Sequence, residues 1–289
     1  MTRSSTDVPN LEGKVCVVTG ATGALGNAAS SDLARLGATV VLVGRDQARG
    51  KDSLAEIRGV TGSKSVELMV CDLSIQRSVR GLAKEFAASH RQLHILVNNA
   101  AIVIRRRILT EDGLELMLAT NHLGPFLLTN LLLELLKAGA PSRIITVSAP
   151  STTKLDFDNL QGEKRFRPLW AFGASKMANL LFTYELAKHL EGSGVTANVL
   201  HPGLMRSGLM REAPLMIRLV TSLVSKGAER AAEALVHLAA TPEVQGVTGS
   251  FFKGRRISNS NPYSRDREVQ RRLWEASANL TGLDHPLQP

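Results

Sequence analysis

Cysteines, aromatic residues and long apolar runs are all scarce in this chain of 289 residues. The two cysteines, Cys16 and Cys71, both sit in apolar strand-like runs. They make no disulfide framework, and a reducing, cytoplasmic setting suits them best. No apolar run reaches the roughly 18 residues needed to span a bilayer. The N-terminal stretch MTRSSTDVPN is polar and lacks the apolar core of a secretory signal, so no membrane attachment is expected. Aromatics make up 4% of the residues, and a nucleic-acid interface would want them interleaved with clustered cations. The formal charge is +9, but apart from Arg105-Arg106-Arg107 and Arg255-Arg256 the basic residues are scattered. A generally basic surface that attracts a small anionic ligand is the simpler account, with no nucleic-acid partner and no metal site.

What is present is an ordinary globular composition, 44% hydrophobic and 21% charged, with enough apolar residues for a sizeable core. Short β-branched runs alternate with longer amphipathic segments. Lys14–Thr19, Ala38–Val43, Val66–Cys71, Leu93–Asn98, Ser142–Ser148, Val195–Leu200 and Thr248–Phe252 read as seven strands. Their nearly continuous apolar character is that of parallel strands buried on both faces. Helical patterns lie between them at about 24–36, 46–58, 75–90, 111–139, 170–191 and 227–240. Strand and helix in repeated alternation predict an α/β fold, a Rossmann-type, doubly wound parallel seven-stranded sheet. No linker or composition break divides it: residues 1–10 read as a loose tail and 11–289 as one domain. The stretches 149–169, 203–226 and 253–289 are less regular. The first two follow strand ends, where open α/β sheets bind ligands, and read as substrate loops.

The segment Thr19-Gly20-Ala21-Thr22-Gly23-Ala24-Leu25-Gly26 follows the first strand and opens the first helix. Glycines let a backbone turn tightly against a pyrophosphate, and the helix N-terminus offers it free N–H groups and a positive dipole end. Gly20, Thr22, Gly23, Leu25 and Gly26 are therefore the candidate phosphate-loop contacts of a dinucleotide. The second strand ends in Gly44-Arg45-Asp46. An acidic side chain there would bind the ribose 2′-hydroxyl of NAD, whereas an arginine suits a 2′-phosphate. Gly44 removes the acid and Arg45 supplies the cation, so NADP(H) is preferred over NAD(H); Asp46 reads as a cap for the next helix. Asp72 and Leu73 at the end of strand three, and Asn99 and Ala100 after strand four, complete a row of adenosine-side contacts at successive strand ends.

These residues resemble the short-chain dehydrogenase/reductase family over about residues 11–283. The first loop is similar to its Thr-Gly-x-x-x-Gly-x-Gly with the glycines respaced, and Asn98-Asn99-Ala100-Ala101 resembles Asn-Asn-Ala-Gly. His201-Pro202-Gly203 with Ser207 resembles the turn that contacts the nicotinamide end, which makes Pro202, Gly203 and Ser207 cofactor candidates. The retinol-dehydrogenase-like branch is the nearest in pattern. It is recognised in Thr120–Thr129, in Asn159-Leu160-Gln161-Gly162-Glu163-Lys164, and in Arg272-Leu273-Trp274 with Leu280–Leu283. The resemblance implies hydride transfer between nicotinamide and a carbinol carbon. A tyrosine exchanges the proton, a lysine lowers its pKa and holds the ribose, a serine bonds the substrate oxygen, and an asparagine positions a water relay. It also implies a homodimer or homotetramer packed through helices, and the stripe Met177, Leu180, Leu181, Tyr184 and Ala187 reads as core together with that helix-packing interface.

By resemblance Asn121 is the asparagine and Lys176 the lysine, but the catalytic pattern departs at two places. The tyrosine position, four residues before Lys176, is Phe172, and the serine position is Ala149. A positioned acid or base contributes about 10²–10⁴ in rate, and an oxyanion-type donor about 10²–10³. Ser148, Ser151 or Thr152 would have to supply a hydroxyl from a rearranged loop. Tyr184 lies twelve residues beyond Phe172, about 18 Å along a helix, and is excluded as a substitute. Tyr263 has no predictable reach, and His122 and His201 read as structural. Three readings stay open. The first is an NADP(H)-dependent oxidoreductase acting on a hydrophobic small molecule (imine, enone or carbonyl) without the tyrosine. The second is a non-redox isomerase, cyclase or sensing protein with a structural cofactor. The third is an inactivated variant of an ordinary carbonyl reductase or alcohol dehydrogenase. The apolar loop at 204–223 predicts a hydrophobic substrate.

Overall fold

The computed structural model describes residues 9–203 and 227–283. Ser207, most of the 203–226 loop with its apolar residues, and most of the N-terminal tail lie outside them. Among the described residues the strands are β1 (Val15–Thr19), β2 (Thr39–Gly44), β3 (Val66–Val70), β4 (Ile95–Asn98), β5 (Ser142–Val147), β6 (Val195–His201), β7 (Phe251–Lys253) and β8 (Arg256–Ser258). They form one sheet in the order β3-β2-β1-β4-β5-β6-β7-β8. The seven expected strands are present and parallel. The eighth is an addition: β8 turns back antiparallel on β7 across Gly254, which takes the left-handed φ of +63°. A three-residue edge strand reading Arg-Ile-Ser carries too little apolar periodicity to be seen in the sequence.

The helices α1 (Ala24–Arg35) and α2 (Gln47–Thr61) cover one face, joined by α8 (Ala228–Ala240). Leu25, Ala29, Leu33, Ile57 and Leu235 seal that layer against Val18, Val40 and Leu42. On the other face lie α3 (Gln76–Ser89), α5 (Gly124–Leu131), α6 (Leu133–Ala138) and α7 (Pro168–His189), whose Phe86, Phe126, Leu127, Phe182 and Leu186 bury against Val17, Val41, Leu96 and Ile144. The strands are apolar on both sides because both sides are covered.

The expected single helix over 111–139 is broken into pieces. Gly113 at φ +73° keeps the first residues in a turn. The helix begins as α4 (Leu116–Leu118), where the buried Glu115 carboxylate accepts from Met117 N and Leu118 N. Ala119–Leu123 is a π-turn, in which Gly124 N–H reaches back to Ala119 O. Pro125 follows directly, and it has no N–H to give to the carbonyl of Asn121 and a ring that crowds that carbonyl, which goes with the wider turn here.

The segment 253–289, expected to be irregular, contains a 15-residue helix, α9 (Arg267–Thr281). Asp266 caps its first turn through Glu268 N and Val269 N, and Gly282 ends it at φ +56°. Those cap signals are in the sequence, but the helix is highly charged and shows a narrow apolar stripe. Its Trp274 meets Phe126, Phe182 and His189 at ring-centroid distances of 5.1, 5.8 and 4.6 Å. With α9 and the C-terminal loop in place, the stripe on α7 is buried inside the chain: Met177, Leu180 and Leu181 are 0% exposed and Tyr184 3%. These four residues are core, as expected of the stripe.

Candidate active site

The parallel register gathers the candidates at one edge of the sheet. Thr19 pairs with Val43, Gly44 with Val70, Asn98 with Thr146 and Val147 with Leu200. The C-terminal ends of β1 to β6 therefore open together, and the crevice lies between β1 and β4, where the strand order reverses.

The loop from Gly20 to Gly26 is built by close backbone approach. Gly20 has φ +64°, and a Cβ there would sit 2.8 Å from Ala100 Cα. A Cβ on Gly26 would overlap Gly20 O and lie 2.9 Å from Ala21 Cα. Thr19, which sequence reasoning passed over, is the knot beneath. Its hydroxyl donates to Val97 O (3.0 Å) and accepts from Asn99 N (2.9 Å) and Ala100 N (3.2 Å). Asn99 returns the contact through Nδ2 to Thr19 O (2.8 Å) and Gly20 O (3.3 Å). Asn99 and Ala100 thus support the loop from below. Gly23 caps α1 without a side-chain bond, and the first turn of α1 carries no acid. Gly23 and Ala24 are exposed, while Leu25 is buried in the core. The result is an uncapped helix N-terminus over a glycine cradle, which fits a dinucleotide pyrophosphate.

At the end of β2, a Cβ on Gly44 would lie 3.1 Å from Thr22 Cγ2, so glycine leaves room for the Thr22 side chain. Arg45 is exposed, and Asp46 caps α2 through Arg49 N. Arg49, a second cation missed in the sequence, donates from Nη2 to Thr22 O (3.1 Å). Its position one turn into α2 was the available signal. Asp72 Oδ1 accepts from Ser74 N (2.9 Å) and Ser74 Oγ (2.7 Å) in a local turn before α3, with Leu73 buried beside it. Pro202 is buried, and Gly203 has φ +95°, with no described residue within 4 Å of where a Cβ would be.

The catalytic edge is formed by α7, the π-turn and the end of β5. Asn121 is 0% exposed. Its Oδ1 accepts from Ile102 N (2.8 Å), and its Nδ2 donates to Ile102 O (3.0 Å) and Ser175 Oγ (3.0 Å). Ser175 Oγ in turn donates to Phe172 O (2.8 Å). The asparagine side chain is thereby spent on tying the loop after β4 to the first turns of α7. Lys176 is buried, with Nζ 3.4 Å from Val147 O and 5.7 Å from the centre of the Phe172 ring. Burial pushes its ammonium down to about 8. Phe172 is half-buried and Ala149 sits half-buried at the end of β5. Ser148, a candidate for the missing hydroxyl, is turned away: its Oγ donates to Lys176 O (2.9 Å), inside the protein. Ser151 Oγ donates to Gly173 O (2.7 Å), and Thr152 is exposed.

His122 is fully buried, with Nε2 2.8 Å from Ser277 Oγ on α9, and burial lowers its pKa to about 4. His201 stacks on Phe251, and its pKa is lowered by burial. Tyr184 donates to Ser260 Oγ (2.8 Å) beneath the Arg265 guanidinium. Tyr263 OH accepts from Leu155 N (3.2 Å) and so fastens the loop that leaves β5. Of the arginine run, Arg107 donates from Nε to Gln161 O (2.7 Å). Among the described residues there is no cluster of metal ligands and no helix long and apolar enough to cross a membrane.

A profile of the short chain dehydrogenase family matches residues 14–217. The chain belongs to the short-chain dehydrogenase/reductase family. Its similarity reaches beyond the profile. Human retinol dehydrogenase 14 is 39% identical over 94% of this chain and 88% of its own length. Human retinol dehydrogenase 12 is 41% identical over the same shares. An uncharacterized protein from Mycobacterium paratuberculosis superposes with a TM-score of 0.77 at 30% identity, covering 97% of this chain and 98% of that one. Pseudomonas aeruginosa RhlG with NADP has a TM-score of 0.69 at 24% identity over 84% and 95% of the two chains, a likeness of fold. This short-chain dehydrogenase/reductase is thus an oxidoreductase by family and retinol-dehydrogenase-like by sequence.

Proposed function

We propose that the chain binds NADP(H) and is an atypical oxidoreductase for a hydrophobic carbonyl, enone or imine, working without a tyrosine acid/base. The observation that carries this reading is the side-by-side placement of Lys176 and Phe172 on α7, with Asn121 still tied into the same turn. A ring fills the tyrosine's place, and the scaffold around the proton donor is kept. Arg45 and Arg49 beside the glycine loop support a 2′-phosphate. Relatives named retinol dehydrogenase support a long apolar alcohol, or its aldehyde, as the substrate class.

NADPH, when bound, supplies hydride to an electrophilic carbon. The N–H groups that open α1 would hold its pyrophosphate, and the Lys176 ammonium would hold its ribose hydroxyls. Phe172 gives the substrate an apolar wall and no proton, so the proton comes from water or from a substrate hydroxyl. An iminium carbon needs none, which makes imines the easiest substrates of this site. The second reading, a non-redox protein with a structural cofactor, draws on Ser148 and Ser151, both of which donate to helix carbonyls.

The test is NADPH binding by fluorescence, followed by NADPH consumption with octanal, 2-octanone, a cyclic imine and an enone. The Phe172→Tyr, Ala149→Ser variant is assayed alongside. Turnover of the imine or enone by the chain as it stands supports the proposal. Conversion of a probe without cofactor oxidation favours the second reading. A chain that does not bind NADPH sinks both.

A further inference from the structure

The hydroxyl missing at Ala149 has a nearby source. Beyond β5 the chain folds back at Pro150, and Ser151 N donates to Ala149 O across a three-residue turn (2.8 Å). This return brings the next hydroxyls against Gly173 of α7, the residue after Phe172. Thr153 N donates to Ser151 Oγ (3.2 Å), which donates to Gly173 O (2.7 Å). The pair is thereby pressed onto the first turns of α7. A Cβ on Gly173 would overlap Thr153 Oγ1 and lie 3.2 Å from Thr153 Cβ. Glycine inside a helix costs about 1 kcal/mol relative to alanine. At Gly173 that cost has a physical reason, because no larger residue admits the threonine.

The position matters more than the contact. Gly173 is the residue after Phe172, and at 3.6 residues per turn it lies about 60° around α7 from Lys176. Thr153 is half-buried, and its Oγ1 makes no hydrogen bond among the described residues. Ser148 and Ser151 already donate to helix carbonyls, whereas Thr153 keeps its proton to give. The loop that carries it is held from the C-terminal side. Tyr263 OH accepts from Leu155 N (3.2 Å), Lys154 Nζ lies 5.8 Å from the Tyr263 ring centre, and Arg272 covers Phe157 at 4.2 Å.

We infer that Thr153, admitted to α7 by Gly173, donates the hydrogen bond to the substrate oxygen that the family's serine would give from position 149. The inference rests on the oxidoreductase reading above. In a carbonyl reduction the hydride forms the new C–H bond and the carbonyl oxygen takes a proton. Thr153 breaks no bond of its own and only stabilises the developing negative charge.

The test uses the full chain with Phe172→Tyr, which restores a proton donor, and reads NADPH-dependent reduction of octanal. Phe172→Tyr alone is expected to be active. Adding Thr153→Val, which keeps shape and removes the hydroxyl, should lower kcat about 10²–10³-fold. Thr153→Ser should keep most of the activity, and Ala149→Ser should rescue the Thr153→Val variant. NADPH affinity should be unchanged by Thr153→Val and Thr153→Ser, since Thr153 is outside the cofactor loop, and Thr153→Ser, which is no larger, should keep Tm as well. Equal rates with and without Thr153→Val, or a Phe172→Tyr chain that is inert until Ala149→Ser is added, overturn the assignment. Failure of the underlying reading looks different: neither the chain as it stands nor the Phe172→Tyr, Ala149→Ser chain oxidises NADPH with any of the aldehyde, ketone, imine and enone probes, and the assignment then falls with it.

Discussion

The two halves of the crevice are built on different principles. On the β1–β4 side, the backbone makes the site. Gly20 and Gly26 permit the close approach, Thr19 and Asn99 bind main-chain groups, and the opening N–H groups of α1 are left uncapped. On the α7 side, the backbone scaffold is equally well held, through Asn121, Ser175 and Ser148. There, however, the chemistry proposed above belongs to side-chain tips, and on that reading two of the tips are gone, at Phe172 and Ala149. A phenylalanine packs as a tyrosine does, so losing the hydroxyl disturbs no fold. A glycine loop has no such neutral exchange, because any Cβ at Gly26 meets backbone. Sites made of backbone are protected by packing, and sites made of terminal hydroxyls are not.

The comparison is tested most strongly by putting the tips back. Phe172→Tyr with Ala149→Ser should raise octanal reduction about 10²–10⁴-fold, read as NADPH consumption, with NADPH affinity unchanged. An unchanged rate would mean that the α7 scaffold has lost more than two hydroxyls.

Next comes the support of that scaffold from outside. Trp274→Ala on α9 removes the indole from the Phe126, Phe182 and His189 group and should cost about 3–5 kcal/mol. Denaturant unfolding reads the loss, and a cost under about 1 kcal/mol would mean that α9 is not part of the core.

The π-turn carries a pH dependence with a definite sign. His122 is held neutral, with its pKa at about 4 against an ordinary 6.5. The unfolded chain therefore binds the extra proton first. Stability should fall as pH drops from about 6.5 to 4, by about 3 kcal/mol in all, and no further on this account below that. Chemical denaturation against pH reads this, and His122→Gln should flatten that part of the curve.

The smallest effect belongs to the cofactor side. Arg45→Ser and Arg49→Ser should each weaken NADPH binding about tenfold, or about 1.4 kcal/mol, and leave NADH binding nearly unchanged. Equal losses for both cofactors would remove the 2′-phosphate argument.

Much of the fold was legible because the signals are local. The parallel strands are apolar on both faces, and the glycine loop sits between a strand and a helix. α9 escaped notice although Asp266 and Gly282 mark its ends, because charge masks its apolar stripe. The break at Asn121 was also written locally, in Pro125, but a long apolar helix is the simpler pattern, and one missing N–H does not change it.

By itself, then, the sequence determined the layer order, the nucleotide loop and the absence of hydroxyls at positions 172 and 149. These follow from periodicity, glycine spacing and residue identity, which need no partner. Tertiary structure alone decided where the remaining hydroxyls point, that the α7 stripe is covered by the chain's own C-terminal segment, and that Thr153 rests against Gly173. Those contacts join residues far apart in the chain, and which of them meet depends on how the layers close rather than on any pattern along the chain.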